Sequence, residues 1–102
     1  MGRALATVLL ARGFAVVLAD HDDARLEMAR RDMRAPAGLS IRRLDVADAD
    51  AWDALADEIE TMDGPVTMLV NNACLPSARR PMIGIAPAEW AALIAVGLTG
   101  SF

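Results

Sequence analysis

The stretch FAVVLAD at residues 14–20 decides the fold class of this chain. Its first six residues are apolar and rich in valine, and such a run without polar alternation is typical of a strand buried on both faces of a parallel sheet. Gly13 precedes the run and is suited to end a helix in the left-handed conformation. Asp20 follows it and places a carboxylate where the strand ends. The pattern therefore predicts a helix, a turn at Gly13, a strand over residues 14–19 and a polar group at its carboxyl end.

Helical and strand-like periods alternate on both sides of this run. Apolar residues recur at helical spacing in four segments, which begin at Gly2, Asp22, Asp48 and Pro87. Short apolar runs separate these segments, at residues 14–19, 39–44 and 66–70. Alternation with short connections predicts parallel strands joined by right-handed crossovers. The sequence therefore predicts an α/β layered sheet, in one domain because 102 residues allow no more.

One face of each helix is expected to be buried, because apolar residues at helical spacing line up on that face. The residues on these faces include Leu5, Val8, Leu9, Leu26, Trp52, Leu55, Ile59, Met62 and Trp90. Both tryptophans are therefore expected to pack in the core rather than to bind a ligand.

Composition excludes several classes of function. The formal net charge is -4 and the ten arginines are dispersed, so nucleic-acid binding through a basic face is not expected. The single Cys74 rules out an internal disulfide and a multi-cysteine metal site, and it fits a cytoplasmic protein. Residues 4–19 are fewer than the ~20 apolar residues of a membrane-spanning helix, so no membrane association is expected. The chain contains no Tyr and no Lys, so its chemistry uses neither a phenol nor a lysine amine.

Polar or small residues follow each predicted strand at its carboxyl end, where ligands bind in doubly wound sheets. They are Asp20 after the first strand, Asp45-Val46 after the second and Asn71-Asn72-Ala73 after the third. A carboxylate at the first position accepts hydrogen bonds from both ribose hydroxyls of an adenine nucleotide and repels a 2′-phosphate. Asp20 follows Gly2 by 18 residues, close to the spacing of about 20 that this arrangement has.

Each of these residues also has a purely structural interpretation. Asp20 would serve as a cap for the helix that begins at Asp22, Asp45 as a loop carboxylate, and Asn71-Asn72 as an ordinary turn after a strand. Three such residues at three strand ends are harder to obtain by chance than any one of them.

Four segments of the chain carry a resemblance to a known family. They are GRALATVLLARGFAVVLADHD, RRLDVADADAW, MLVNNA and EWAALIAVGLTGSF. In this order and spacing they closely resemble the amino-terminal half of a short-chain dehydrogenase/reductase. The resemblance covers nearly the whole chain, and the pair LDV and NNA carries most of its specificity.

The resemblance implies a partial Rossmann-like fold, a doubly wound parallel sheet that lacks its first strand. Residues 1–102 would then be a truncated dinucleotide-binding domain. In the family's sheet order the missing strand lies between residues 14–19 and 66–70, so two inner edges would be unpaired.

Cofactor roles follow from the resemblance residue by residue. Gly2 would be the last glycine of the dinucleotide loop, and Asp20 would hold the adenosine ribose, which favours NAD over NADP. Asp45 would accept a hydrogen bond from the adenine amino group, and Val46 would offer its backbone there.

The third strand end has implied roles as well. Asn71 and Ala73 would brace the central strand and line the adenosine ribose. Cys74 stands where the family usually has glycine, and we expect it to be a small buried side chain. Gly97 stands in mid-helix where the family has an asparagine of its catalytic tetrad. His21 is expected to be a solvated loop residue.

The family's catalytic serine and its Tyr-x-x-x-Lys pair would lie beyond Phe102, so we expect no catalytic residue and no metal ligand here. The intact parent would transfer hydride between a nicotinamide and a small-molecule alcohol or carbonyl substrate, as a homo-oligomer. Two alternatives stay open: a non-catalytic nucleotide-binding or dimerisation module, which would use the helix from Pro87, and a decayed gene product. Arg79 and Arg80 are expected in a solvated loop.

Overall fold

The structure is a computed structural model that describes residues 1–62, 64–76 and 81–102. It contains two compact units. Residues Met1–Asp45 are called the sheet unit below, and Val46–Phe102 the helical unit.

Two helices and two strands alternate in the sheet unit. Helix α1 spans Gly2–Ala11, strand β1 spans Val16–Asp20, helix α2 spans Asp23–Asp32 and strand β2 spans Leu39–Arg43. The predicted order of helix, strand, helix and strand is confirmed over these residues. The predicted boundaries shift by at most two residues, since β1 begins at Val16 and includes Asp20.

The two strands pair in parallel, as predicted. Val16 lies opposite Leu39 and Asp20 lies opposite Arg43. One further backbone hydrogen bond extends the pairing, from the N–H of Leu44 to the carbonyl of Asp20 at 2.9 Å. The carboxyl ends of β1 and β2 are therefore aligned at one edge of the sheet.

The core of the sheet unit is small. Ala6, Leu26 and Leu44 are buried, with 4%, 3% and 3% of their surfaces exposed. β1 is half-buried, so the prediction of a strand covered on both faces is wrong here. Among the described residues β2 is the one strand paired with it, and a parallel strand is fully covered only between other strands and two helical layers.

The buried residue of helix α1 is not one of those predicted to be buried. Leu5 and Val8 are 38% and 47% exposed, whereas the smaller Ala6 between them is buried. The buried position of α1 is thus one residue away from the predicted Leu5.

Two helices dominate the helical unit. Helix α3 spans Ala49–Met62, and the Asp48 carboxylate caps it by accepting a hydrogen bond from the Ala51 N–H at 3.2 Å. Helix α4 spans Pro87–Gly97 with proline in its first turn, as the sequence predicts. Short 3-10 helices cover Met82–Gly84 and Thr99–Ser101.

The predicted stripes of the helical unit are buried only in part. In α3, Leu55 is buried and Trp52 half-buried, but Met62 is 69% exposed. Trp90 in α4 is 47% exposed, so its predicted core position is wrong. Gly97 ends α4 rather than lying within the helix, and this corrects its mid-helix assignment.

The third predicted strand, residues 66–70, is not a strand in the structure. Val66, Met68 and Leu69 in this segment are more than half exposed, at 61%, 54% and 65%. The sequence has the apolar composition of a strand, but a strand also needs a neighbour to complete its backbone hydrogen bonds, and no described segment pairs with it. Arg79 and Arg80, farther along the chain, lie outside the described residues.

A close backbone approach organises the helical unit around Val46. The Val46 carbonyl accepts a hydrogen bond from the indole Nε1 of Trp52 at 3.1 Å. Gly100 lies so close that an added Cβ atom would stand 2.7 Å from the same carbonyl oxygen and 2.9 Å from a Val46 methyl carbon. Only glycine fits there without displacing backbone atoms.

We therefore expect Gly100→Ala to destabilise the helical unit by about 1–3 kcal/mol, the usual cost of overpacking. The indole N–H resonance of Trp52 should shift in a heteronuclear NMR spectrum, because the new methyl group displaces its acceptor. Gly97→Ala is the matched control, since a Cβ atom at that position meets nothing within 4 Å. An unmoved Trp52 resonance in Gly100→Ala would contradict the close approach.

Helices α1 and α2 end in the same pattern of backbone hydrogen bonds. In each case a residue just beyond the helix has a positive φ, and the two residues differ in type. After α1, Gly13 has a φ of +85°, and the N–H of Phe14 reaches the carbonyl of Leu9 at 3.1 Å. After α2, Arg34 occupies the equivalent position with a φ of 60°, and the N–H of Ala35 reaches the carbonyl of Arg30 at 2.8 Å. Glycine adopts this conformation freely, whereas a residue with a side chain is strained in it by about 1–2 kcal/mol.

Replacement of Arg34 by glycine should therefore stabilise the chain. We expect Arg34→Gly to raise the free energy of unfolding by about 0.5–1 kcal/mol, after allowing for the greater entropy of glycine in the unfolded chain. Gly13→Ala should lower it by about 1 kcal/mol, since its Cβ atom has open space and only backbone strain changes. Urea unfolding followed by circular dichroism measures both, and a loss of stability in Arg34→Gly would contradict this account.

Candidate functional site

The carboxylate of Asp20 lies at the carboxyl end of β1 and is 35% exposed. Its Oδ1 atom accepts a hydrogen bond from the Asp22 N–H at 3.0 Å and lies 3.2 Å from Nδ1 of His21. No group in the described part of the chain donates to its Oδ2 atom. One oxygen therefore fixes the orientation of the carboxylate, and the other remains able to accept from a ligand.

The structural interpretation of Asp20 as the helix cap is incorrect in detail. The N-cap of α2 is Asp22, whose Oδ1 accepts from the N–H groups of Ala24 and Arg25 at 2.9 and 3.2 Å. Asp20 holds the turn that leads into this cap. The sequence signal for the cap lay in Asp22 itself, since aspartate is favoured immediately before a first helical turn.

The structure brings Asp45 to the same edge as Asp20. The hydrogen bond from the Leu44 N–H to the Asp20 carbonyl pins the chain one residue before Asp45. Leu44 is buried, whereas Asp45 is exposed. Two carboxylates thus follow two adjacent parallel strands, as the sequence predicts.

Arginines face the acidic groups at this edge. Nε of Arg43 donates to the carbonyl of His21 at 3.4 Å and lies 3.8 Å from an oxygen of Asp23. Nε of Arg25 lies 3.4 Å from the second carboxylate oxygen of Asp22. These contacts are exposed and individually weak, but together they offset part of the negative charge around Asp20.

Val46 belongs to the helical unit, where its carbonyl is occupied by Trp52 and crowded by Gly100. Its N–H donates to no other described residue. The carbonyl of Val46 is therefore engaged within the helical unit, whereas its N–H is not.

Asn71 also has a partner in the helical unit. Its side-chain Nδ2 donates to the carbonyl of Ser101 at 3.0 Å, so it braces the turn after α4. Ala73 is exposed in a segment without regular secondary structure. Cys74 is exposed too, which corrects its predicted burial, because this segment has no strand to pack beside it.

Gly2 is the first residue of α1 and is half-buried. No hydrogen bond joins Gly2 to Asp20. Its neighbour Arg3 forms an ion pair and hydrogen bond with Asp32 at the end of α2.

The sequence reasoning missed Gly100 and Ser101 as supports of the site. Gly100 permits the close approach to Val46, and Ser101 offers its carbonyl to Asn71. A second glycine three residues after Gly97 was the available signal. The glycine signals a close backbone approach, but its partner, Val46, is not apparent from the sequence.

A separate concave region occurs in the sheet unit, with a volume of about 740 Å³. Its walls come from α1, the end of α2 and the following turn, and include Arg3, Thr7, Met33, Arg34 and Pro36. It contains neither Asp20 nor Asp45 and is open to solvent.

Two features are absent from residues 1–62, 64–76 and 81–102. No helix among them is both long and apolar enough to cross a membrane. Nor do three or more His, Cys, Asp or Glu side chains gather there in a group that could hold a metal ion.

Comparison with known proteins agrees with the fold. The short chain dehydrogenase family matches over residues 1–102. A galactitol 2-dehydrogenase from Rhizobium johnstonii is 31% identical over 102 residues, covering all of this chain and 40% of that protein. The chain thus spans well under half the length of this relative.

Solved structures show the same similarity. A short-chain dehydrogenase/reductase from Brucella melitensis, described as glucose/ribitol dehydrogenase, has a TM-score of 0.88 at 27% identity over 99% of this chain and 43% of its own. A metagenomic short-chain oxidoreductase in complex with NADP has a TM-score of 0.85 at 35% identity over 97% of this chain and 45% of its own. On this evidence of sequence and fold, the chain belongs to the short-chain dehydrogenase/reductase family of oxidoreductases.

Proposed function

We propose that these 102 residues are the amino-terminal, adenosine-binding part of an NAD-dependent short-chain dehydrogenase/reductase. The observation that carries the proposal is the Asp20 carboxylate. It ends β1, its Oδ1 is held by a backbone N–H and by His21, and its Oδ2 accepts no hydrogen bond from the described residues. A carboxylate in that state suits two adjacent ribose hydroxyls and disfavours a phosphate at the 2′ position.

The remaining residues have supporting roles in this proposal. Asp45 accepts from the adenine amino group, and the free N–H of Val46 donates to the adenine ring. Asn71 and Ala73 line the ribose, and Gly2 closes the dinucleotide loop at the start of α1. Asn71 is suited to this because its side chain is held by the Ser101 carbonyl.

The complete protein would transfer hydride between the nicotinamide and a small-molecule alcohol or carbonyl compound in the cytoplasm, as a homo-oligomer. The family's acid/base tyrosine and its lysine are not in this chain, which has no Tyr and no Lys. These residues therefore bind the nucleotide without catalysing the reaction.

Titration calorimetry with NAD⁺ tests the role of Asp20. We expect Asp20→Asn to weaken binding by about tenfold to a hundredfold, since a hydrogen bond to a charged group contributes roughly 1.5–3 kcal/mol. Asparagine keeps the oxygen that accepts from Asp22, so the turn should survive. NADP⁺ binding should weaken less, because the repelling charge is removed.

Asp57→Asn is the matched control, since it removes one exposed carboxylate from the middle of α3. Equal affinity for NAD⁺ in the wild type and Asp20→Asn, or NAD⁺-dependent alcohol oxidation by the 102-residue chain, would contradict the proposal.

One observation favours a second role, as a dimerisation module. Helix α4 has the sequence PAEWAALIAVG, with Glu89 its only charged residue, and none of its residues is buried. A helix that is apolar all round is normally covered by other protein. We propose that α4 docks on a second copy of the chain.

Sedimentation velocity tests this second role. We expect the wild-type chain to sediment as a dimer and Ala92→Arg as a monomer, because a guanidinium on an apolar helix contact loses its hydration. Ala54→Arg is the control, since it places the same charge on an exposed alanine of α3. A monomeric wild type at all concentrations would rule this role out.

A further inference from the structure

The cleft between α1 and the turn after α2 is lined by none of the residues assigned to the nucleotide. Its volume of about 740 Å³ is within the range of pockets that hold small organic ligands. Apolar side chains form much of its wall, and Leu10, Met33 and Pro36 of this wall are half-buried. The cleft therefore offers an apolar surface that the sheet unit leaves open.

Three charged side chains also line the cleft, Arg3, Asp32 and Arg34. Arg3 and Asp32 form an ion pair and hydrogen bond with each other, so their charges offset. The guanidinium of Arg34 forms no ion pair or hydrogen bond with any described residue. Two arginines and one aspartate leave one positive charge in the lining, and that charge is on Arg34.

The backbone at Arg34 is strained. Arg34 and Ala35 have φ values of 60° and 41°, whereas the positive φ values nearby in the chain at Gly13 and Gly38 fall on glycine. A residue with a side chain adopts this left-handed region at a cost, and normally as a single residue. Strained residues of this kind cluster at ligand sites, where the side chain has a task that glycine cannot perform. An arginine at a position that favours glycine therefore points to a role for its guanidinium.

The guanidinium determines which class of ligand suits the cleft. It presents N–H donors in a planar fork that matches the two oxygens of a carboxylate. One uncompensated positive charge suits a singly charged head better than a doubly charged phosphate, because the carboxylate of Asp32 lines the same cleft. The apolar wall suits a hydrocarbon chain, whose removal from water is favourable in proportion to the area covered.

We propose that this cleft binds a monocarboxylate with an apolar chain. Its carboxylate pairs with Arg34, and its hydrocarbon chain lies against Leu10, Met33 and Pro36. The inference goes beyond the proposed nucleotide function and does not depend on it, because it uses no residue assigned to the nucleotide.

Octanoate is the probe, and 1-octanol is the matched ligand with the same chain length and no charge. Each is titrated into the isotopically labelled 102-residue chain, and binding is followed by the backbone amide resonances in heteronuclear NMR spectra. We expect octanoate to shift the amides of Thr7, Leu10 and Ala37, which line the cleft. We expect 1-octanol to bind there about fivefold more weakly, the upper effect of one exposed ion pair.

Three variants at one position separate the charge from the strain. Arg34→Gln removes the charge but keeps a side chain at the positive φ, Arg34→Gly removes both, and Arg34→Lys keeps a charge without the planar fork. Octanoate should bind about fivefold more weakly to Arg34→Gln and Arg34→Gly, and at most about twofold more weakly to Arg34→Lys. The affinity of Arg34→Gln for 1-octanol should be unchanged. Arg31→Gln is the matched control, since Arg31 is exposed on α2 and does not line the cleft.

The glycine variant separates binding from stability. An Arg34→Gly chain that unfolds at higher urea concentration but binds octanoate more weakly supports an arginine that is retained for its ligand. Equal octanoate affinity in the wild type, Arg34→Gln and Arg34→Gly overturns the proposal, as does a wild type whose octanoate shifts are confined to the helical unit or absent. Titration of the same samples with NAD⁺ is independent, so octanoate binding without NAD⁺ binding supports the cleft and contradicts only the nucleotide site.

Discussion

The parallel pairing of β1 with β2 is the constraint on which the candidate site depends. Its register places Asp20 opposite Arg43, and the Leu44 N–H continues the ladder to the Asp20 carbonyl. Parallel strands end at the same edge, so whatever follows each strand is brought to that edge. Two carboxylates and the imidazole between the elements gather there because of backbone hydrogen bonds, and not because of any attraction between the side chains themselves.

The same dependence on neighbours explains where the chain departs from expectation. The segment at residues 66–70 has the composition of a buried strand, yet it forms none, and α4 is apolar on all sides without a buried residue. An apolar segment becomes buried only when another part of the protein covers it. Its own composition does not provide that cover. Curated and solved relatives are more than twice as long as this chain in the cases compared. The exposed apolar residues therefore indicate surfaces suited to further contacts.

The negative charge around Asp20 is offset in part by nearby arginines and not by burial. Asp22 caps α2, Asp23 faces Arg43, and His21 approaches the carboxylate directly. Each contact is partly exposed, so each is modest in energy and sensitive to solvent.

The sequence by itself determined the local elements and the family. Gly13, Asp48 and Pro87 mark helix ends through backbone preferences that act within a few residues, and the apolar run before Asp20 indicates a strand for the same reason. Tertiary structure alone decided which faces are buried, that Gly100 lies against Val46, and that one oxygen of Asp20 is already held. These outcomes depend on which residues distant in the sequence lie close in space, or on the orientation of side chains. The local pattern of apolar and polar residues holds neither kind of information.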